Sequence, residues 1–453
     1  MVLNKDELKY LEERYQTEGN TLMVLYGREQ IGKKAILQEF VRDKKYLYYC
    51  AGQASELEQK IMMRREIEEK CGSKIAENTY ETFFNRLRSG NRSKLVFIID
   101  RFELIVKKDP EFFKALVRLQ EGKLYSGPVM TILCSSNISW IEHEMDLCLG
   151  EKAKKIQNRY KVSEINFLEM VRSFPEYSVR DCVQVYGVIG GVPGYIQRWD
   201  KTKGLKYNIC KHILSEDGFL YGEAERFINT QLRELTVYNT ILGAIASGRH
   251  KLNELYLYTG FSRAKISVYM KNLMAFEVVE KVSSLETGGW DNAQKGLYRI
   301  RNTYVNFWFR FIYPNYSDYK MLPPEEFYAK YMETELDPFL NRYFIKVCME
   351  YLELMSAIDQ LPIKIHKMGT WVGKKGTIDI IAQDKIRNNL VGMCNWSEVQ
   401  FTFKMYEQLV NAMDMAKIKS NYIYLFSAKK FDYLLMDEAK KNKKLVLIDM
   451  NRL

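Results

Sequence analysis

The stretch Thr21-Leu-Met-Val-Leu-Tyr-Gly27-Arg-Glu-Gln-Ile-Gly32-Lys33-Lys34 decides the fold. Its apolar first half reads as a buried strand, and the residues from Lys33 to about Val41 read as a helix. Between them lies a loop with a glycine at each end and a lysine directly after the second, the spacing of a phosphate-binding loop. The chemistry follows from the residue types. Glycines let successive backbone N–H groups turn inward on a phosphate, the helix N-terminus adds positive potential, and Lys33 reaches the terminal phosphates. Gly27, Gly32, Lys33 and Lys34 are therefore candidate ligands of a nucleotide, ATP or ADP.

Position 34 departs from the pattern. A hydroxyl normally stands there because its oxygen ligates Mg²⁺ beside the β- and γ-phosphates. Lys34 repels a cation at neutral pH, and its ammonium is expected to stand in for the metal charge. A second departure follows the strand Leu95-Val-Phe-Ile-Ile-Asp100. Asp100 is the candidate metal residue, suited to holding Mg²⁺ indirectly. The next residue is Arg101, where hydrolysing relatives place a Glu that polarises water. An arginine stays protonated and cannot accept that proton. Glu103, two residues on, is expected to point elsewhere. Nucleotide binding is thus expected with weak or no hydrolysis, Asp100 being a catalytic remnant and Mg²⁺ an open question. A further strand ends in Cys134-Ser135-Ser136-Asn137. Ser135 is a candidate sensor of the γ-phosphate, with a helix cap as the alternative.

Working outward, apolar runs at 21–27, 45–51, 94–100 and 128–136 alternate with amphipathic helical stretches. That order implies α/β layers on a mostly parallel sheet. From about 150 to 235 the pattern is helical, broken by Gly187-Val-Ile-Gly-Gly-Val-Pro-Gly-Tyr195. Strand candidates return at 376–383, 390–396, 421–428 and 445–449. The expected domains are a P-loop domain at 1–160, a helical lid at 161–235, a winged helix at 236–315 and a second α/β domain at 316–453.

Composition narrows the partners. The chain has 453 residues, enough for several cores, and a formal net charge of +11, which favours polyanions and nucleic acid first. The eight cysteines are scattered without a CxxC, and the four histidines form no ligand set, so they read as small buried residues in a reducing compartment. No apolar run reaches the roughly 18 to 20 residues of a membrane helix, and the charged N-terminus is no signal peptide. A cytoplasmic location and no membrane partner are expected.

Taken together, the order of motifs resembles the bacterial and archaeal P-loop ATPases of the AAA+/STAND group that carry a winged helix and a C-terminal restriction-endonuclease-like domain. The resemblance runs over nearly the whole chain. It includes Asn4-Lys5-Asp6-Glu7-Leu8, the YGREQIGK loop, the IID strand, Ser135-Ser136, Gly190-Gly191-Val192-Pro193 and Asn306-Phe307-Trp308-Phe309-Arg310-Phe311. It implies a nuclease-like signature, E-I-D on one strand and E-C-K-W on the next. Here the strings are Thr377-Ile378-Asp379 and Met393-Cys394-Asn395-Trp396. Asp379 is the remaining acid, and a single carboxylate is a poor Mg²⁺ site, so this domain is expected to bind or pack and not to cleave.

The segment Lys251–Gly260 followed by Ser262–Lys271 reads as helix, turn, helix. Leu252, Leu255 and Leu257 are expected on one apolar face, with Ile266, Met270 and Leu273 continuing it. Arg263, Lys265, Ser267 and Lys271 are left for the exposed side and are the candidate DNA contacts, a protein partner being the alternative. Gly288-Gly289 suits the tip of a wing between strands near 276–282 and 297–300. The basic run Lys152–Lys161 reads as a solvated helix face, and the aromatic run 304–314 as interdomain core.

Overall fold

The computed structural model describes residues 5–72, 74–87, 93–125, 127–285, 296–373 and 376–453. The chain forms two compact units. One comprises Met1–Glu164 with Val192–Gly194, the other Ile165–Gly191 with Tyr195–Leu453.

The first unit is a five-stranded sheet of β1 (Thr21–Tyr26), β2 (Tyr46–Cys50), β3 (Leu95–Asp100), β4 (Val129–Ser135) and β5 (Asn158–Lys161). The order is β2-β3-β4-β1-β5, and every pairing is parallel. A parallel sheet needs both faces covered, which is why β1, β3 and β4 are mostly apolar and buried along their length. Side chains alternate between faces with a period of two. Leu22, Val24, Phe97, Ile99 and Leu133 enter one core, while Met23, Leu25, Val96, Ile98 and Ile132 enter the other. The first core takes Met63 and Ile67 of α3 (Glu56–Cys71) and Phe83 and Phe84 of α4 (Tyr80–Asn85). The second takes Leu11 of α1 (Lys5–Gln16) and Ile36, Leu37 and Phe40 of α2 (Lys33–Phe40). Each such side chain stabilises the fold by about 1.5–3 kcal/mol before entropy is counted.

This order has a functional consequence. Strand β4 lies between β1 and β3, so the loop after β1 and Asp100 at the end of β3 flank the Ser135-Ser136 end of β4. The basic run 152–161 differs from its expected helix. It is a 3-10 turn at Gly150–Lys155 followed by the edge strand β5 beside β1. Its cations are neutralised locally, Lys155 by Glu121, Arg159 by Asp146 and Lys161 by Glu142.

The second unit begins with helices, among them Val179–Ile189. The aromatic run is buried within this unit, with Tyr304, Phe307, Trp308, Phe309 and Phe311 all nearly inaccessible. The helices Leu252–Thr259 and Arg263–Ala275 precede an antiparallel pair, β6 (Val279–Ser283) and β7 (Gly296–Ile300). Gly288 and Gly289 lie outside the described residues. A mixed sheet follows, ordered β14-β12-β10-β9-β8. Its strands are β8 (Lys367–Val372), β9 (Thr377–Gln383), β10 (Asn389–Asn395), β12 (Tyr422–Ser427) and β14 (Leu445–Asp449). β8, β9 and β10 pair antiparallel, and β10, β12 and β14 parallel. The short strands β11 (Gln400–Phe401) and β13 (Lys430–Phe431) form a separate pair. Among the described residues no helix is long and apolar enough to cross a membrane.

Candidate nucleotide site

The loop geometry follows from its glycines. Gly32 has φ +94, a left-handed conformation that a side chain would strain, and it stands at the N-cap of α2 with no side chain capping the helix. A Cβ at Gly27 would lie 2.5 Å from the carbonyl oxygen of Val162. The segment Val192–Gly194 braces the loop: the Gly194 N–H donates to the Gln30 carbonyl at 3.0 Å. An uncapped helix N-terminus behind a glycine turn is an anion site.

Lys33 folds back over this loop. Its Nζ donates to the carbonyls of Gly27 and Arg28, the latter at 3.0 Å, and to Ser136 Oγ at 3.0 Å. Burial lowers its pKa, and the charges of Asp100, Glu29 and Glu103 act in the opposite direction. Lys34 is exposed. Beside both lysines opens a cavity of about 370 Å³ lined also by Gln38, Arg42, Tyr48, Glu66, Lys70 and Asp100. Four cations against two carboxylates give this cavity the sign a polyphosphate requires.

Asp100 is already engaged. Tyr48 donates its hydroxyl to Oδ2 at 2.9 Å, and the Arg101 N–H donates to Oδ1 at 2.9 Å. With a lysine at position 34 as well, the donor set does not fit a magnesium ion, and among the described residues no group of three His, Cys, Asp or Glu side chains is placed to hold a metal. Ser135 is fully buried, and its Oγ accepts from the Asn137 N–H at 3.0 Å. The hydroxyl that reaches Lys33 belongs to its neighbour Ser136. Asn137 caps the helix Ile138–His143.

Glu103 is nearly inaccessible and is not among the residues that line the cavity. Arg101 has φ +56, which turns the chain so that Phe102 enters the core and Glu103 is 7% exposed. Burial raises the pKa of its carboxyl. Tyr48 and Ser136 are thus site residues that sequence reading missed. The sequence signal for Tyr48 is its place in a strand that parallels β3, in register with Ile98.

The remaining candidates lie in the second unit. Arg263, Lys265, Ser267 and Lys271 are each exposed on one helix, with Lys265 turned away from the other three, while Ile266, Met270 and Leu273 are buried. Arg263 donates to Asn253 Oδ1 at 2.6 Å and stacks 4.2 Å from the Tyr256 ring centroid. The expectation for Leu257 is corrected: it is 72% exposed, whereas Leu255 is buried. Two residues of helix turn the side chain about 200°, so the pair cannot share a face. Asp379 on β9 accepts the Cys394 N–H on Oδ2 at 2.9 Å, and burial pushes its pKa up to about 6 against the opposing charge of Arg299. Trp396 is buried, donating through Nε1 to Asp337 at 3.1 Å.

Comparison with known proteins agrees with this geometry. Residues 4–199 match the family described as an ATPase domain predominantly from Archaea, and residues 308–405 match a family of archaeal and bacterial proteins of unknown function. An uncharacterized protein of Methanocaldococcus jannaschii is 26% identical over 455 residues, covering 98% of each chain. Among solved structures, the Walker-type ATPase of Pyrococcus abyssi is 15% identical over 68% of this chain and 96% of its own, with a TM-score of 0.49. The ORC2 protein of Aeropyrum pernix, solved in ADPNP and ADP complexes, is 13% identical over 71% of this chain and 95% of its own, with a TM-score of 0.46. The chain thus carries, at residues 4–199, a domain matching the ATPase domain found predominantly in Archaea and, at residues 308–405, one matching the second family.

Proposed function

We propose that this protein is a nucleotide-controlled regulator: it binds ATP or ADP, turns it over slowly or not at all, and contacts DNA or a protein partner through residues 251–300. The observation that carries the reading is the contrast between Lys33 and Lys34. The loop keeps its uncapped helix N-terminus and its phosphate-seeking lysine. At the neighbouring position an ammonium replaces the hydroxyl that would hold a metal, and Arg101 replaces the usual base. Such a site retains affinity for phosphates while losing metal-assisted chemistry. The domain division at 161–235, 236–315 and 316–453 belongs to the same proposal. In it the helix Arg263–Ala275 is a recognition helix of a winged helix, and the last domain is a nuclease-like fold used for binding or packing. The exposed residues Arg263, Lys265, Ser267 and Lys271 support the DNA arm, as does the net charge of +11.

The experiment is nucleotide-dependent thermal unfolding of the parent and Lys33→Ala proteins. ATP or ADP should raise the unfolding midpoint of the parent alone. No shift in the parent with either nucleotide would contradict the reading. The second reading is an active ATPase, for which rapid phosphate release by the parent protein would be the sign.

A further inference from the structure

The cavity beside Lys33 and Lys34 extends past the place where the loop holds phosphates, and its far part has a chemistry of its own. We infer that this far part is a second nucleotide subsite, which takes a nucleoside monophosphate alongside the nucleotide on the loop. The inference rests on reading the loop as a nucleotide site and adds a second ligand to it.

Three elements build the subsite. The first is α2 with the turn that follows it. Lys34, Leu37, Gln38, Val41 and Arg42 recur at intervals of three and four residues, so they share one face, and all five line the cavity. From Lys34 to Val41 that face runs about 10 Å along the helix axis. The attraction of a helix N-terminus for phosphate is confined to its first turn. A nucleotide whose phosphates sit on the loop therefore leaves the C-terminal part of this face uncovered. The second element is β2, an edge strand. Tyr46 and Tyr48 alternate with the buried Leu47 and Tyr49, so both stand on the α2 side of the sheet. The third is α3, which brings Glu66 and Lys70, one turn apart, to the same cavity.

The residue types name the ligand. Leu37, Val41 and Ile98 supply an apolar wall, and beside it Tyr46 is 52% exposed. Tyr48 has given its hydroxyl to Asp100, which leaves its ring as the surface it offers. Two rings against an apolar wall form a platform on which a base stacks. Arg42, steadied by Glu39, and Lys70 carry the positive charge that a phosphate needs. Glu66 is an acceptor for a ribose hydroxyl or a base amine. A bare phosphate chain would use the cations and leave the tyrosines without a role. An uncharged aromatic ligand would leave Arg42 and Lys70 without one. A cavity of about 370 Å³ is within the range of small-molecule sites.

The test is equilibrium dialysis of the full-length protein against labelled ADP and AMP together, with each nucleotide counted per chain at saturation. The parent should hold one ADP and one AMP. The variants Tyr46→Ala and Lys70→Ala change exposed side chains, and their thermal unfolding should match the parent. Each should weaken AMP binding by about tenfold or more and leave ADP affinity unchanged. A single nucleotide per chain in the parent overturns the inference and leaves the nucleotide reading of the loop standing. An AMP that neither variant disturbs overturns it as well, because that AMP lies elsewhere. A parent that holds no nucleotide removes both readings.

Discussion

Asp100 on β3 and Asp379 on β9 are both single carboxylates at places where paired donors would hold a metal, and their surroundings have gone opposite ways. Asp100 borders a cavity of about 370 Å³ shared with Lys33, Lys34, Arg42 and Lys70. Asp379 is enclosed. Its Oδ2 is taken by the Cys394 N–H, its neighbour in charge is Arg299, and burial pushes its pKa up to about 6. The first site has a lysine at position 34 together with volume and positive charge, which are what a polyphosphate needs. At the second, the carboxyl of Asp379 is buried against the Cys394 N–H. The loss of a motif residue therefore says little until the space around it is known.

The largest effect that would break this contrast is on the open site. Lys33→Ala removes the charge-assisted bond to phosphate and should weaken ATP binding by about a hundredfold in calorimetry. Unchanged affinity would make the loop a relic like the Asp379 site. The closed site has a pH signature. Because the folded-state pKa of Asp379 lies above the usual carboxylate value of 3.8, the folded protein binds the extra proton and is favoured at low pH. That contribution is lost as pH rises from about 4 through about 6, on the order of 3 kcal/mol in full. Denaturant melts across this range should show Asp379→Asn lacking that segment of the slope. Parallel pH profiles for parent and variant would mean Asp379 is solvated.

Smaller changes sharpen the comparison. Lys34→Thr with Arg101→Glu restores a hydroxyl and an acid at the open site and should raise Mg²⁺-dependent phosphate release by about tenfold or more. The double variant staying as slow as the parent would mean that other groups limit turnover. The smallest effect concerns the exposed helix Arg263–Ala275. Removing Arg263 and Lys265 should weaken binding to duplex DNA by a few-fold at moderate salt and lower the slope of log affinity against log salt by about 2. Salt-independent binding, or none, would direct this surface to a protein partner.

Much of the open site was legible because it is local. A strand, two glycines and a lysine lie within one short stretch, and the interrupted chemistry at Lys34 and Arg101 shows in the residue types alone. What escaped notice depends on tertiary geometry. Glu103 is buried after the left-handed turn at Arg101, and arginine carries no preference for that conformation. Ser135 and Ser136 are adjacent, and only the direction in which β4 presents each one separates the buried hydroxyl from the one on Lys33. The edge strands β5 and β8 were hidden for another reason. β5 is polar and short, and β8 includes a glycine and an irregular register near Trp371, so neither shows the apolar run of a central strand. Leu257 was misplaced by applying a strand's period of two to a helix.

The central claim is that the loop binds nucleotide without needing a metal. The measurement that tests it most directly is calorimetry of ATP and ADP with the parent protein, in Mg²⁺ and in excess chelator, paired with phosphate release under both conditions. The account predicts binding that survives removal of Mg²⁺ and slow release that Mg²⁺ barely changes. Binding that collapses in chelator, or release that accelerates steeply with Mg²⁺, would contradict it.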